Sequence, residues 1–97
     1  MKIYIAGKIT GDPNYRRKFD KEAFKLKSNG HIVLNPAILP KGMEHHEYMH
    51  ICFSMIDVAD LIYFLPCWKD SKGAVMEYEY AKQNGKSCTE AVRKYKL

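Results

Sequence analysis

The chain has 97 residues, 46% of them hydrophobic and 28% charged. That length fits one domain spanning 1–97 and one core, and that composition excludes a disordered chain. Sixteen Lys and Arg against eleven Asp and Glu leave a net charge of +5, which favours an anionic partner without naming it.

No apolar run reaches the ~18 residues of a membrane span, so no membrane partner is expected. The opening MKIYIAGKIT reads as an early strand, not a secretion signal. Cys52, Cys67 and Cys88 are odd in number and widely spaced. They make no CxxC pair, so neither a disulfide framework nor a cysteine zinc site is expected. A reducing cytoplasm is the simplest compartment.

Residues 2–6 (KIYIA) are β-branched and aromatic and end at Gly7, which predicts a strand. Tyr15, Phe19, Ala23 and Leu26 recur at helical spacing over 14–28, and Asn29-Gly30 closes that helix. Residues 31–34 (HIVL) predict a second strand, and Pro36 and Pro40 make 35–45 a loop. Over 46–59, Tyr48, Ile51, Cys52, Met55, Ile56 and Ala59 form one apolar stripe. Residues 61–65 (LIYFL) predict a strand covered on both faces. Asp70 or Ser71 can cap a third helix running to about Asn84, with Gly85 as its stop. Residues 86–90 predict a last short strand before a basic tail.

Alternating strands and helices imply an α/β fold with a small parallel sheet of about four strands and three main helices. The alternation leaves strand order open. Ligands in such sheets bind beyond the carboxyl ends of the strands, which directs attention to the loops 7–13 and 66–72.

Gly7-Lys8-Ile9-Thr10-Gly11 follows the first strand. Its glycines suit close approach to a phosphate, but the spacing is neither Walker A nor GxGxxG, and a plain turn explains it equally well. Ser71-Lys72-Gly73 opens the third helix, where free amides suit an anion and where a serine also serves as an ordinary cap. Glu77 and Glu79 sit at opposite borders of that helix's apolar stripe. Periodicity does not say which faces a site, and a solvated carboxylate is the usual fate of both. Tyr4 and Trp68 are aromatic enough to stack on a base, though aromatics near strand ends are usually core.

His46-Glu47-Tyr48-Met49-His50 matches HExxH, in which two histidines hold zinc and the glutamate activates water. Here both histidines fall opposite the apolar stripe and no third ligand is evident, so a chance match is preferred. Cys52 lies at the centre of the stripe and reads as a small buried hydrophobe. Asp57 falls on the far side of that helix. Arg16, Arg17, Lys18, Lys21, Lys25 and Lys27 make the first helix basic, as a solvated face does.

IYIAGKITG, ADLIYFLP and SKGAVMEYEYAKQNGK together resemble the nucleoside 2-deoxyribosyltransferase-like superfamily over residues 2–88. The most specific part is Ser71-x-Gly73-x-x-x-Glu77. The resemblance implies a flavodoxin-like three-layer sandwich and a homodimer or higher homo-oligomer. It implies an enzyme that cleaves or transfers at the N-glycosidic bond of a nucleoside or nucleoside 5′-monophosphate, with no cofactor and no metal. Glu77 would be the nucleophile at C1′. Tyr4, Gly7, Lys8, Ile9, Thr10 and Gly11 would bind substrate together with Trp68, Ser71 and Gly73. Related sequences usually carry an aspartate where this chain has Cys52. That departure supports a second reading, a binding module for a nucleotide or nucleotide-derived signal. Zinc hydrolysis through His46 and His50 stands third. A nucleic-acid partner is not expected, because no groove-reading motif accompanies the positive charge.

Overall fold

A computed structural model of the chain describes residues 1–66 and 68–91. Cys67, in the second of the two loops singled out above, and the end of the basic tail lie outside the described residues. Four strands, β1 (Lys2–Ala6), β2 (Ile32–Leu34), β3 (Leu61–Phe64) and β4 (Ser87–Glu90), alternate with three helices. The helices are α1 (Tyr15–Ser28), α2 (His45–Val58) and α3 (Lys72–Gln83). The expected boundaries move by a residue or two at most. The loop after β2 carries a 3₁₀ turn at Pro36–Ile38 that periodicity does not reveal.

All strand pairs are parallel, in the order β2-β1-β3-β4. This is the beginning of the flavodoxin-like order, whose switch point lies between β1 and β3. Tyr4 pairs with Leu34 on one side and Ile62 on the other, at the centre of the sheet.

Two-residue alternation along β1 and β3 divides the core between two faces. Tyr4, Ala6, Ile62 and Phe64 meet Cys52 and Ile56 of α2 and Ala74 and Ala81 of α3. Ile5 and Leu65 meet Phe19 and Ala23 of α1 on the opposite face. The result is a three-layer α/β sandwich. The buried face of α2 runs through Met49, Cys52 and Ile56, so Met49 joins the core where the sequence stripe put Tyr48. Among the described residues, no helix is long and apolar enough to cross a membrane.

Each helix start is held locally. The Asp12 side chain accepts from the Asn14 amide ahead of α1 at 2.9 Å. Glu47 accepts from the Glu44 amide at the start of α2 at 2.8 Å. Ser71, rather than Asp70, caps α3, its hydroxyl accepting from the Ala74 amide at 3.1 Å. Gly30 and Gly85 follow α1 and α3 with positive φ, the conformation that ends a helix most cheaply with glycine.

Candidate active site

The carboxyl ends of β1 and β3 open into a cavity of about 890 Å³, at the upper end of the range for small-molecule sites. Its floor is polar. Glu77 is 6% exposed and is the one buried charged side chain among the described residues. Its helix position follows from Ala74 and Ala81, three before and four after, both turned to the sheet. Glu79, two residues on, is exposed, which settles the choice that periodicity left open.

The Tyr4 hydroxyl donates to Glu77 Oε2 at 2.7 Å. Burial pushes the Glu77 carboxyl up to about 7, against smaller downward pulls from Tyr4 and Cys52. Burial, with the Glu77 charge beside it, also pushes the Cys52 thiol to about 12. Tyr4 moves well above its ordinary range for the same reasons. At neutral pH the cluster therefore has one group that changes charge, Glu77. Cys52 stays a thiol and is not a ready nucleophile.

The cavity gathers nine of the ten residues singled out by sequence. Tyr4 and Glu77 lie at its floor. Gly7, Lys8, Ile9, Thr10 and Gly11 line one side, and Ser71 and Gly73 line another. The side chain missing at Gly7 matters to packing. A Cβ there would lie 3.1 Å from Leu65 Cβ and 3.2 Å from Phe19 Cζ. Gly11 has φ +85°, a conformation glycine adopts without strain.

Trp68 is the exception. It is buried and does not line the cavity. Its ring packs against Phe64 at 4.7 Å and Tyr78 at 5.0 Å between ring centroids. Aromatic stacking in the core, not base contact, accounts for its position.

Sequence reasoning missed the wall made by the loop after β2 and the start of α2. Leu39, Met43, His45, Tyr48 and Met49 all reach the cavity. The Tyr48 hydroxyl donates to the Pro40 carbonyl and accepts from the Met43 amide, tying that loop down. The carboxyl-end rule applies to β2 as much as to β1, and β2 is the neighbour of β1, so the loop was open to discovery by that rule.

The HExxH residues lie apart from this cluster. His46 and His50 are exposed, and Glu47 is occupied at the helix start. Among the described residues, no group of three His, Cys, Asp or Glu side chains is placed to hold a metal. Asp57 is exposed and accepts from the Tyr80 hydroxyl at 2.6 Å, and Asp60 accepts from the Lys2 amide at 2.8 Å. Neither reaches the cavity.

A family model described as "Domain of unknown function (DUF4406)" matches residues 1–90. The chain belongs to that family. No curated protein matches it. The description of the DUF4406 family names no activity.

Proposed function

We propose that the protein cleaves or transfers at the N-glycosidic bond of a nucleoside or nucleoside 5′-monophosphate, with Glu77 as the nucleophile. The observation that carries this reading is a buried carboxylate, hydrogen-bonded by Tyr4, at the floor of a cavity large enough for a nucleotide. Breaking an N-glycosidic bond builds positive charge on the sugar. A carboxylate below the ring stabilises that charge and then bonds to C1′, giving a glycosyl-enzyme that water or a second base resolves. Such a step needs no cofactor or metal.

The resemblance of Ser71-x-Gly73-x-x-x-Glu77 to the nucleoside 2-deoxyribosyltransferase-like superfamily supports the same assignment. Lys8, Lys41 and Lys72 around the cavity and the net charge of +5 suit an anionic substrate. A cytoplasmic homo-oligomer remains part of the proposal.

A second reading is a non-catalytic nucleotide-binding module. It is favoured by Cys52, a thiol held uncharged where the resemblance implies a carboxylate. Chromatography for free base separates the two. The protein and its Glu77→Ala variant are incubated with pooled deoxynucleosides and their 5′-monophosphates. Release by the parent alone is the expected outcome. No release by either, with affinity retained in Glu77→Gln, assigns the binding module instead.

A further inference from the structure

A nucleobase leaves readily only when it takes up a proton as the C1′–N bond breaks, so a glycosyl transfer through Glu77 calls for a second, acidic group. The cavity limits the choice. Tyr4 directs its hydroxyl to Glu77, and the Tyr48 hydroxyl is tied to Pro40. Cys52 lines the cavity as a buried thiol pushed to about 12 by burial and the Glu77 charge, a poor acid. Lys8, Lys41 and Lys72 offer ammonium groups suited to an anionic part of the substrate. Asp70 and His45 are both exposed where they line the cavity, but Asp70 also borders a second, smaller cavity. His45 remains.

His45 is the first residue of α2 and shares a face with Met49, Cys52 and Ile56, at i, i+4, i+7 and i+11. That face is the one turned to the cavity and the sheet. The imidazole Cε1 lies 3.8 Å from the position a Cβ would take on Gly73 of α3. Glu77 follows Gly73 by four residues, just over one helical turn and about 6 Å along the axis. Imidazole and carboxylate thus approach the cavity from facing helices, offset by one turn. The absent side chain at Gly73 leaves the space between them open.

We propose that His45 is the general acid–base of the reaction, an inference that rests on the glycosyl-transfer reading of Glu77. In the first step a Glu77 oxygen bonds to C1′ and the C1′–N bond breaks. Its electron pair stays on the base nitrogen, and the imidazolium proton passes to the base. In the second step neutral His45 takes a proton from water as the water oxygen bonds to C1′. The C1′–Glu77 bond breaks, and carboxylate and imidazolium are restored.

The test compares 2′-deoxyguanosine with its N7-methylated derivative, each with and without a 5′-phosphate. The methylated base departs without needing a proton. Parent, His45→Ala, His45→Gln, Asp70→Asn and Glu77→Ala proteins are assayed for base release, with thermal melts to confirm folding. The expected result for both His45 variants is a loss of about 100-fold or more on the ordinary substrate and a change of a few-fold at most on the methylated one. Glu77→Ala is expected to be inactive on both. Equal losses on the two substrates in the His45 variants would reduce His45 to a positioning residue and overturn the proposal. The same split in Asp70→Asn, and not in His45→Ala, would transfer the role to Asp70. Base release from neither substrate by the parent protein would instead overturn the glycosyl-transfer reading itself.

Discussion

Tyr4 on the central strand and Glu77 on a covering helix, 73 residues apart in sequence, are joined by a 2.7 Å hydrogen bond inside the protein. The donor comes from the sheet and the acceptor from the layer above it. This bond supports the charged form of Glu77 against the burial that opposes it.

Removing the donor should therefore raise Glu77 further. In Tyr4→Phe, base release is expected to fall about 5- to 150-fold at neutral pH, the equivalent of about 1–3 kcal/mol for an unsatisfied buried acceptor. In the parent, the acidic limb of the pH–rate profile should lie near 7, where Glu77 ionises. In the variant that limb should move to higher pH. A pH–rate profile of both proteins reads the shift, and coincident profiles would contradict the pairing.

Stability should depend on pH in the opposite sense to activity. Glu77 holds its proton to about 7 when folded and to about 4.5 otherwise, so between those values the folded state binds more protons. Its contribution is full below about 4.5 and is lost as pH rises through 7. The loss amounts to roughly 3 kcal/mol. Urea denaturation at pH 4.5 and pH 8 should show parent and Glu77→Gln diverging, with the variant relatively more stable at pH 8. Parallel pH dependences would refute it.

Two glycines should respond differently to alanine. At Gly7 the new Cβ meets Leu65 and Phe19 at 3.1–3.2 Å, and overpacking of that kind costs about 1–3 kcal/mol. At Gly73 the nearest atom is Met49 Sδ at 3.6 Å, an ordinary contact. Gly7→Ala should melt lower than the parent, while Gly73→Ala should melt near it and yet lose base release by crowding the cavity. Melting temperatures and assays of the pair make the comparison.

Cys52 should resist alkylation in the native protein. Its thiol is buried and pushed to about 12, so the reactive thiolate is scarce at pH 8. Iodoacetamide followed by peptide mass spectrometry should find Cys52 unmodified until urea is added. Rapid native labelling would show a more open cavity floor.

The layered fold was legible because its elements carry strong, distinct periods. Phe19 and Ala23 mark one helix face, and LIYFL marks a strand covered on both sides. The loops at 7–11 and 71–73 were legible from glycine and cap chemistry. Tyr48 and Met49 were exchanged because adjacent helical positions differ by about 100° and both are apolar enough for either role. Trp68 was misplaced because an aromatic at a strand end is equally suited to stacking on a ligand or on Phe64 and Tyr78. His45 and the strapped loop before it were missed for a different reason. Nothing in the local pattern of residues 35–45 marks a cavity wall; the placement of β2 beside β1 is what brings the carboxyl-end rule to bear on that loop.

The HExxH match shows how a local match can arise without its chemistry. Glu47 meets the needs of a helix start, and His46 and His50 face outward. Spacing placed both histidines opposite the apolar stripe, and the hydrogen bond from the Glu44 amide adds the local use of Glu47.

The bond between Tyr4 and Glu77 crosses from one layer to the next, and nothing in the backbone of either element holds the two together. Ala74 and Ala81, small and buried on either side of Glu77, set how closely α3 can lie on the sheet. Enlarging either residue would lift the helix and part the pair while the strands remained intact. The proposed glycosyl transfer would thus be a gauge of interlayer distance, failing well before the protein unfolds.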